Sequence, residues 1–236
     1  MQEFTRPRVM VPNLEPLLEC WAISDAFVEL NEGASDLQIN QAEEMLGRRL
    51  PPALRALYQV SNGCKLLGKG DIEIDPLWPP FGNESTNALV NRADILRQWG
   101  WPIPDELVIF GNISDGNLIG MWVPIGLNIN ASHPVIQISA LPTNPKCMAV
   151  AGTTLCRFLK VRTAYSLLKC RCTSDLMDEL DVPDDLRNAP PDLARIYAWA
   201  DPDLPNLMPD PDRNGFDAEE LRNKYGQNQK IWNRTG

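Results

Sequence analysis

Apolar and polar positions alternate along this chain with two different periods, and the changes between them mark out its elements. Over residues 35–47, Ile39, Ala42 and Leu46 recur at three- and four-residue steps, which predicts a helix. Ser35 is placed to cap it and Gln38 to reach back, the capping-box arrangement. Glu43 and Glu44 fall on the wet side, and Gly47 can take the left-handed conformation that ends a helix. Pro51 pushes Leu50 towards an extended conformation, whereas Pro52 suits the opening turn of a second helix. Leu54, Leu57, Tyr58 and Ser61 then share a face until Asn62-Gly63 stops the run. Two short helices thus meet at a tight corner, with Leu50 buried at the joint.

The period changes to two at residues 71–75, where Ile72 and Ile74 alternate with Asp71, Glu73 and Asp75. This predicts a half-buried strand whose polar face is wholly acidic. Residues 85–100 predict a third helix, with Leu89, Ala93 and Leu96 inward and Trp99 near its end. There follow a strand at "ELVIF", a turn at "GNISDGN", a strand at "LIGMWV" and another at "HPVIQIS". A last helix spans "TTLCRFLKVRTAYSLLK", capped by Thr153 or Thr154, with Phe158, Val161, Tyr165 and Leu168 on one broad apolar face. The order predicts an α+β fold: an antiparallel or mixed sheet with helices packed on one side. There is no regular βαβ alternation of the kind that builds a doubly wound nucleotide fold.

Past residue 170 the texture becomes acidic and proline-rich, and residues 171–236 hold a net −6 of the chain's −9. Residues 1–34 are expected to form an N-terminal arm with a short helix, residues 35–170 the α+β domain, and residues 171–236 an acidic C-terminal extension. Tyr197, Trp199 and Trp232 are candidates to pack that extension on the domain. The excess of acidic side chains argues against nucleic acid as a partner, since that needs a basic face, and suits a basic protein instead. No run is long and apolar enough for a membrane span or a secretion signal, so a cytoplasmic location and reduced cysteines are expected. Cys170 and Cys172 form Cys-x-Cys, which lacks zinc spacing, and no cofactor is expected.

Catalytic signatures are weak. His133 is the only histidine and precedes a proline at a strand entrance, and "GNISDG" is one residue too long for a nucleophile elbow. A non-enzymatic protein is expected. "DPDRNGFDAEEL" is like a calcium loop that has lost one residue. Asp210, Asp212 and Asn214 stand at ligand positions, Gly215 at the turn and Glu220 at the bidentate position. The plainer reading is a polar turn that caps a helix over residues 216–225.

The ordered series "EEMLGRRLPPALRALYQVSNG", "DIEIDPL", "LVIFGNISDGNLIGMWV", "HPVIQIS" and "TTLCRFL" resembles the SUKH superfamily, over roughly residues 35–170. That group includes fungal cell-wall-assembly regulators and bacterial immunity proteins. Asn62-Gly63-Cys64 stands where many relatives have Asn-Gly-Gly, and the acidic extension is not part of the common domain. The resemblance implies a binding protein whose partner is a cognate toxin, such as a nuclease with a basic surface. Alternatives are a regulatory interaction module without a toxin, or a calcium-responsive binder acting through residues 210–220. The candidate partner-binding residues are Asp71, Glu73 and Asp75, with Trp78 as an aromatic anchor and Asp115 on the later turn. A merely solvated strand face is the competing reading.

Overall fold

The structure, a computed structural model, describes residue 17 and residues 28–66, 72–79, 87–113, 116–124, 133–139, 146–170, 177–178, 180–204 and 215–226. The helix corner forms as its signals predict. In α1 (Asp36–Leu46), the Gln38 amide donates to Ser35 Oγ and the Ser35 amide to Gln38 Oε1. Gly47 ends the helix at φ 65°, and α2 (Pro52–Val60) opens on proline. Leu50 is buried between them.

Glu43 departs from expectation: it is not on the wet side but only 5 % exposed. Its Oε1 accepts from the Leu50 amide at 3.0 Å and from Arg55 at 3.1 Å, and its Oε2 accepts from Arg49 at 3.0 Å. These charge-assisted bonds offset the loss of water and fix the angle at which α2 leaves α1.

The Ser61-Asn62-Gly63 stop is a three-way junction. The Ser61 hydroxyl accepts from the Asn31 amide, the Asn62 amide donates to the Glu32 carbonyl, and Asn62 Oδ1 accepts from the Leu77 amide at 2.8 Å. Gly63 has φ 85°, and a Cβ there would lie 3.0 Å from the backbone nitrogen of Pro76. Glycine is needed on both counts.

Seven strands form one antiparallel sheet in chain order: β1 (Val28–Leu30), β2 (Cys64–Leu66), β3 (Ile72–Ile74), β4 (Leu107–Ile113), β5 (Leu118–Trp122), β6 (Val135–Ile138) and β7 (Met148–Gly152). β4 runs further than "ELVIF", through Gly111, Asn112 and Ile113, with a bulge between Ile109 and Gly111. A Cβ on Gly111 would sit 2.1 Å from the Glu73 carbonyl oxygen, so this glycine serves the close approach of β3 rather than a turn. The third helix, α3 (Arg92–Gln98), is shorter than expected, and Leu89 is buried in the turn before it.

One face of the sheet packs on α1, α2 and α4 (Leu155–Cys170), through residues such as Ile39, Leu54, Tyr58, Phe158 and Val161 against Phe110, Ile119 and Met121. The second face is covered too, but only in part. Leu107, Ile109, Leu118, Trp122, Ile136, Ile138, Met148 and Val150 lie beneath Leu96, Ile103, Leu204, Phe216, Leu221 and Tyr225. Each large side chain buried in this way is worth about 1.5–3 kcal/mol against exposure.

Several of those covering residues come from beyond residue 170. After α5 (Asp184–Arg187), α6 (Leu193–Ala200) lays Ile196 and Ala200 into the first core, with Tyr197 and Trp199 packed beside them. Asp201 is fully buried: its carboxylate accepts from the Thr153 amide and hydroxyl, each at 2.7 Å, and from Arg157 at 3.2 Å. Arg157 also reaches Asp203 at 2.7 Å. Thr154 caps α4, accepting from the Arg157 amide at 3.1 Å.

Asp201→Ala is therefore expected to lower unfolding stability by roughly 2–4 kcal/mol, since it strands a buried amide and hydroxyl. Asp203→Ala, which removes an exposed partner, is expected to cost under about 1 kcal/mol. Urea denaturation of both variants checks the contrast, and equal losses would refute it.

Candidate functional site

Outside the patch covered from the C-terminal side, the second face of the sheet is polar. β3 turns Ile72 and Ile74 inward, so Glu73 between them points out. Strand register sets Glu73 between Lys65 of β2 and Asn112 of β4, and Lys65 beside Glu29 of β1. Glu29, Lys65 and Glu73 are exposed and Asn112 is half-buried, which makes a row running Glu, Lys, Glu, Asn across four strands. Opposite charges directly across a ladder support the pairing, while the outer carboxylates stay open to a partner.

Asp75 does not join this exposed row. It keeps the same parity as Glu73, yet it is 5 % exposed because Arg92, the first residue of α3, lies against it. The Asp75 amide donates to the Phe110 carbonyl at 2.9 Å, and its own carbonyl accepts from the Tyr58 hydroxyl at 2.9 Å. Its carboxylate is 3.7 Å from Arg92 Nη1, an ion pair too long for a hydrogen bond. Asp75 Oδ2 and Arg92 Nε and Nη1 have no hydrogen-bond partner among the described residues. Burial pushes the Asp75 carboxyl up to about 6; Arg92 opposes that rise and Glu73 adds to it.

Trp78 is half-buried and packs against the first-face core, next to the buried Leu77. Asp71 and Asp115 lie outside the described residues. Of the five sequence-predicted residues, Glu73 alone is seen exposed on the polar strip. Its neighbours Glu29 and Lys65 are additions, since three-residue strands leave too few positions for a period of two to register.

The other candidate chemistry lies elsewhere. His133 is buried, and its Nδ1 is 3.0 Å from the Trp122 carbonyl oxygen. A carbonyl only accepts, so Nδ1 carries the proton and the ring ties the start of β6 to β5. Burial pushes the Cys64 thiol up to about 12 and Cys156 to about 11, so neither is a ready nucleophile. Asp210, Asp212 and Asn214 lie outside the described residues, but Glu220 is already engaged. Its Oε1 is 2.7 Å from Lys146 Nζ, and its Oε2 accepts from the Asp217 amide at 3.1 Å. Among the described residues, no group of three or more His, Cys, Asp or Glu is placed to hold a metal ion, and no helix is long and apolar enough to cross a membrane.

Asp75 makes stability depend on pH with a definite sign. Its folded value, about 6, lies above the ordinary 3.8, so the native state holds the proton more tightly. The resulting stabilisation is full below about pH 3.8 and is lost as pH rises through about 6. Asp75→Asn is expected to remove that slope, which is at most about 1.4 kcal/mol per pH unit. Urea midpoints of both proteins from pH 4 to 7 check it; wild type gaining on the variant as pH rises would show Arg92 to dominate instead.

The corner, the Asp75–Arg92 pair and the strip apart from Glu29 fall within one recognisable stretch. Residues 33–125, from just before α1 to just past β5, match the family described as SMI1 / KNR4 family (SUKH-1). No curated protein matches the chain. β6, β7, α4 and the residues after 170 lie beyond the matched stretch. Over residues 33–125, this chain is thus similar to the SUKH superfamily.

Proposed function

We propose that this chain is an immunity protein, which binds a cognate toxin with a basic surface and silences it by occlusion. The observation that carries the reading is the SUKH-1 match over residues 33–125, a domain consistent with immunity or with regulatory protein interaction. The charge agrees with it: the chain carries a net −9, and Glu29 and Glu73 stand exposed on a firmly paired sheet. Carboxylates held in this way can take the places of phosphates in a nuclease's substrate cleft, and their field speeds encounter. Asp71 and Asp115 are proposed members of the same patch, and Trp78 its aromatic anchor. Asp75 contributes through the fold of the site, because its carboxylate is held under Arg92. The protein's part is stoichiometric and not catalytic, and it is proposed to act in the cytoplasm.

The test is co-expression with the product of the adjacent gene, followed by pull-down and a growth assay. The neighbour is expected to kill cells, to be captured by this protein, and to be neutralised by it. Glu73→Lys is expected to slow association roughly tenfold at low salt and much less at high salt, with an unchanged circular dichroism spectrum. Unchanged association and salt dependence would remove Glu73 from the interface. A harmless, uncaptured neighbour would remove the toxin reading itself.

A further inference from the structure

Residues 215–226 run over the second face of the sheet from its β7 edge to the start of β4, the middle strand. They start at the β7 edge, where the Phe216 amide donates to the Met148 carbonyl at 2.7 Å and the Met148 amide to the Phe216 carbonyl at 3.2 Å. This is an isolated bridge and not a strand. Gly215 has φ 114°, and a Cβ there would lie 2.7 Å from the carbonyl oxygens of Lys146 and Met148, so the chain approaches the edge as only glycine allows. The path then turns through α7 (Ala218–Leu221), capped by Asp217, and a π-helical turn, Arg222–Gly226. It finishes at Glu106, just before β4, where Arg222 Nε is 2.5 Å and Nη2 3.0 Å from the two carboxylate oxygens.

Two kinds of contact hold this crossing. Phe216, Leu221 and Tyr225 press on the apolar face, and two ion pairs pin its middle: Lys146–Glu220 at 2.7 Å and Arg222–Glu106. A four-residue helix has no stability of its own. The side chains of Arg222, Lys146 and Glu220 are 50 %, 38 % and 30 % exposed, so salt screens both pins. What the crossing hides is an apolar patch with Leu118, Ile138 and Met148, together with the outward amide and carbonyl of Met148 on an edge strand. A bared antiparallel edge can pair with its own copy about a two-fold axis.

We propose that residues 215–226 are a strap, released by high ionic strength before the rest of the molecule opens, and that the β7 edge it frees pairs with a second copy of the chain. The test uses the full chain and two variants, with hydrogen exchange and sedimentation velocity at about 0.05 and about 1 M salt, roughly 4.5-fold apart in Debye length. Arg222→Glu sets two carboxylates against each other, and Glu106→Arg combined with Arg222→Glu restores the attraction with its sign exchanged. In wild type, amides of residues 216–226 are expected to exchange roughly tenfold faster at high salt while those of β4 and β5 stay protected. Arg222→Glu is expected to show that rate already at low salt and to form dimers at raised concentration, and the double exchange to return both readouts towards wild type. Exchange of residues 216–226 only together with β4 and β5 in all three proteins would overturn the strap. Rapid exchange in a chain that stays monomeric would overturn the pairing.

Discussion

β5 is buried along its whole length, on both sides of the sheet. That single constraint organises the molecule, because a strand with two dry faces needs two covers. Alternate residues of the central strands feed different cores: Ile119 and Met121 face the helices, while Leu118 and Trp122 face the other way. α1, α2 and α4 supply the first cover within the α+β domain. The second is assembled from far-apart pieces, Leu96 and Ile103 around α3 and Leu204, Phe216, Leu221 and Tyr225 from beyond residue 200. The polar strip of Glu29, Lys65 and Glu73 exists where that second cover stops.

Buried charge marks the joints between these layers. Glu43 sits where α1 turns into α2, Asp201 where the C-terminal residues meet the start of α4, and Asp75 where α3 meets the sheet. The first two have their oxygens met by amides and guanidinium groups; in the third, Oδ2 has no hydrogen-bond partner among the described residues and faces Arg92 in a long ion pair. Hydrogen-bonded carboxylates of this kind fix angles between elements that apolar packing alone leaves adaptable. In Asp75 desolvation outweighs its partner, so the fold feels its protonation near neutral pH.

The parts of this architecture that could be read from the chain were those with local signals. Ser35, Gln38 and Gly47 fix α1 because capping is decided within four residues, and Pro51-Pro52 fixes the corner for the same reason. β1 and β2 span three residues each, too few for alternation to show, and β7 is built largely of small residues that give no strong period. Glu43 and Asp75 were misplaced by a single cause. Helical or strand parity gives the direction of a side chain, but whether another element covers it is a long-range fact, here α2 over Glu43 and Arg92 over Asp75. Glu73 was legible as an exposed acid, whereas its Lys65 and Glu29 neighbours required the register. The SUKH motifs carried more than any periodicity did, since their order along the chain holds even where each piece is short.

The strand order has a consequence for how the chain is built. Every strand pairs with its neighbours in sequence, so the sheet can grow one strand at a time as the polypeptide emerges from the ribosome. The second cover cannot keep pace, because Arg222 meets Glu106 across 116 residues of chain and Phe216 meets Met148 across a long excursion through α4. Between the synthesis of β5 and that of Leu204, the apolar side of the growing sheet has only Leu96 and Ile103 of its cover in hand. The stretch from Leu204 to Tyr225 therefore closes an apolar surface that every earlier length of the polypeptide leaves partly open.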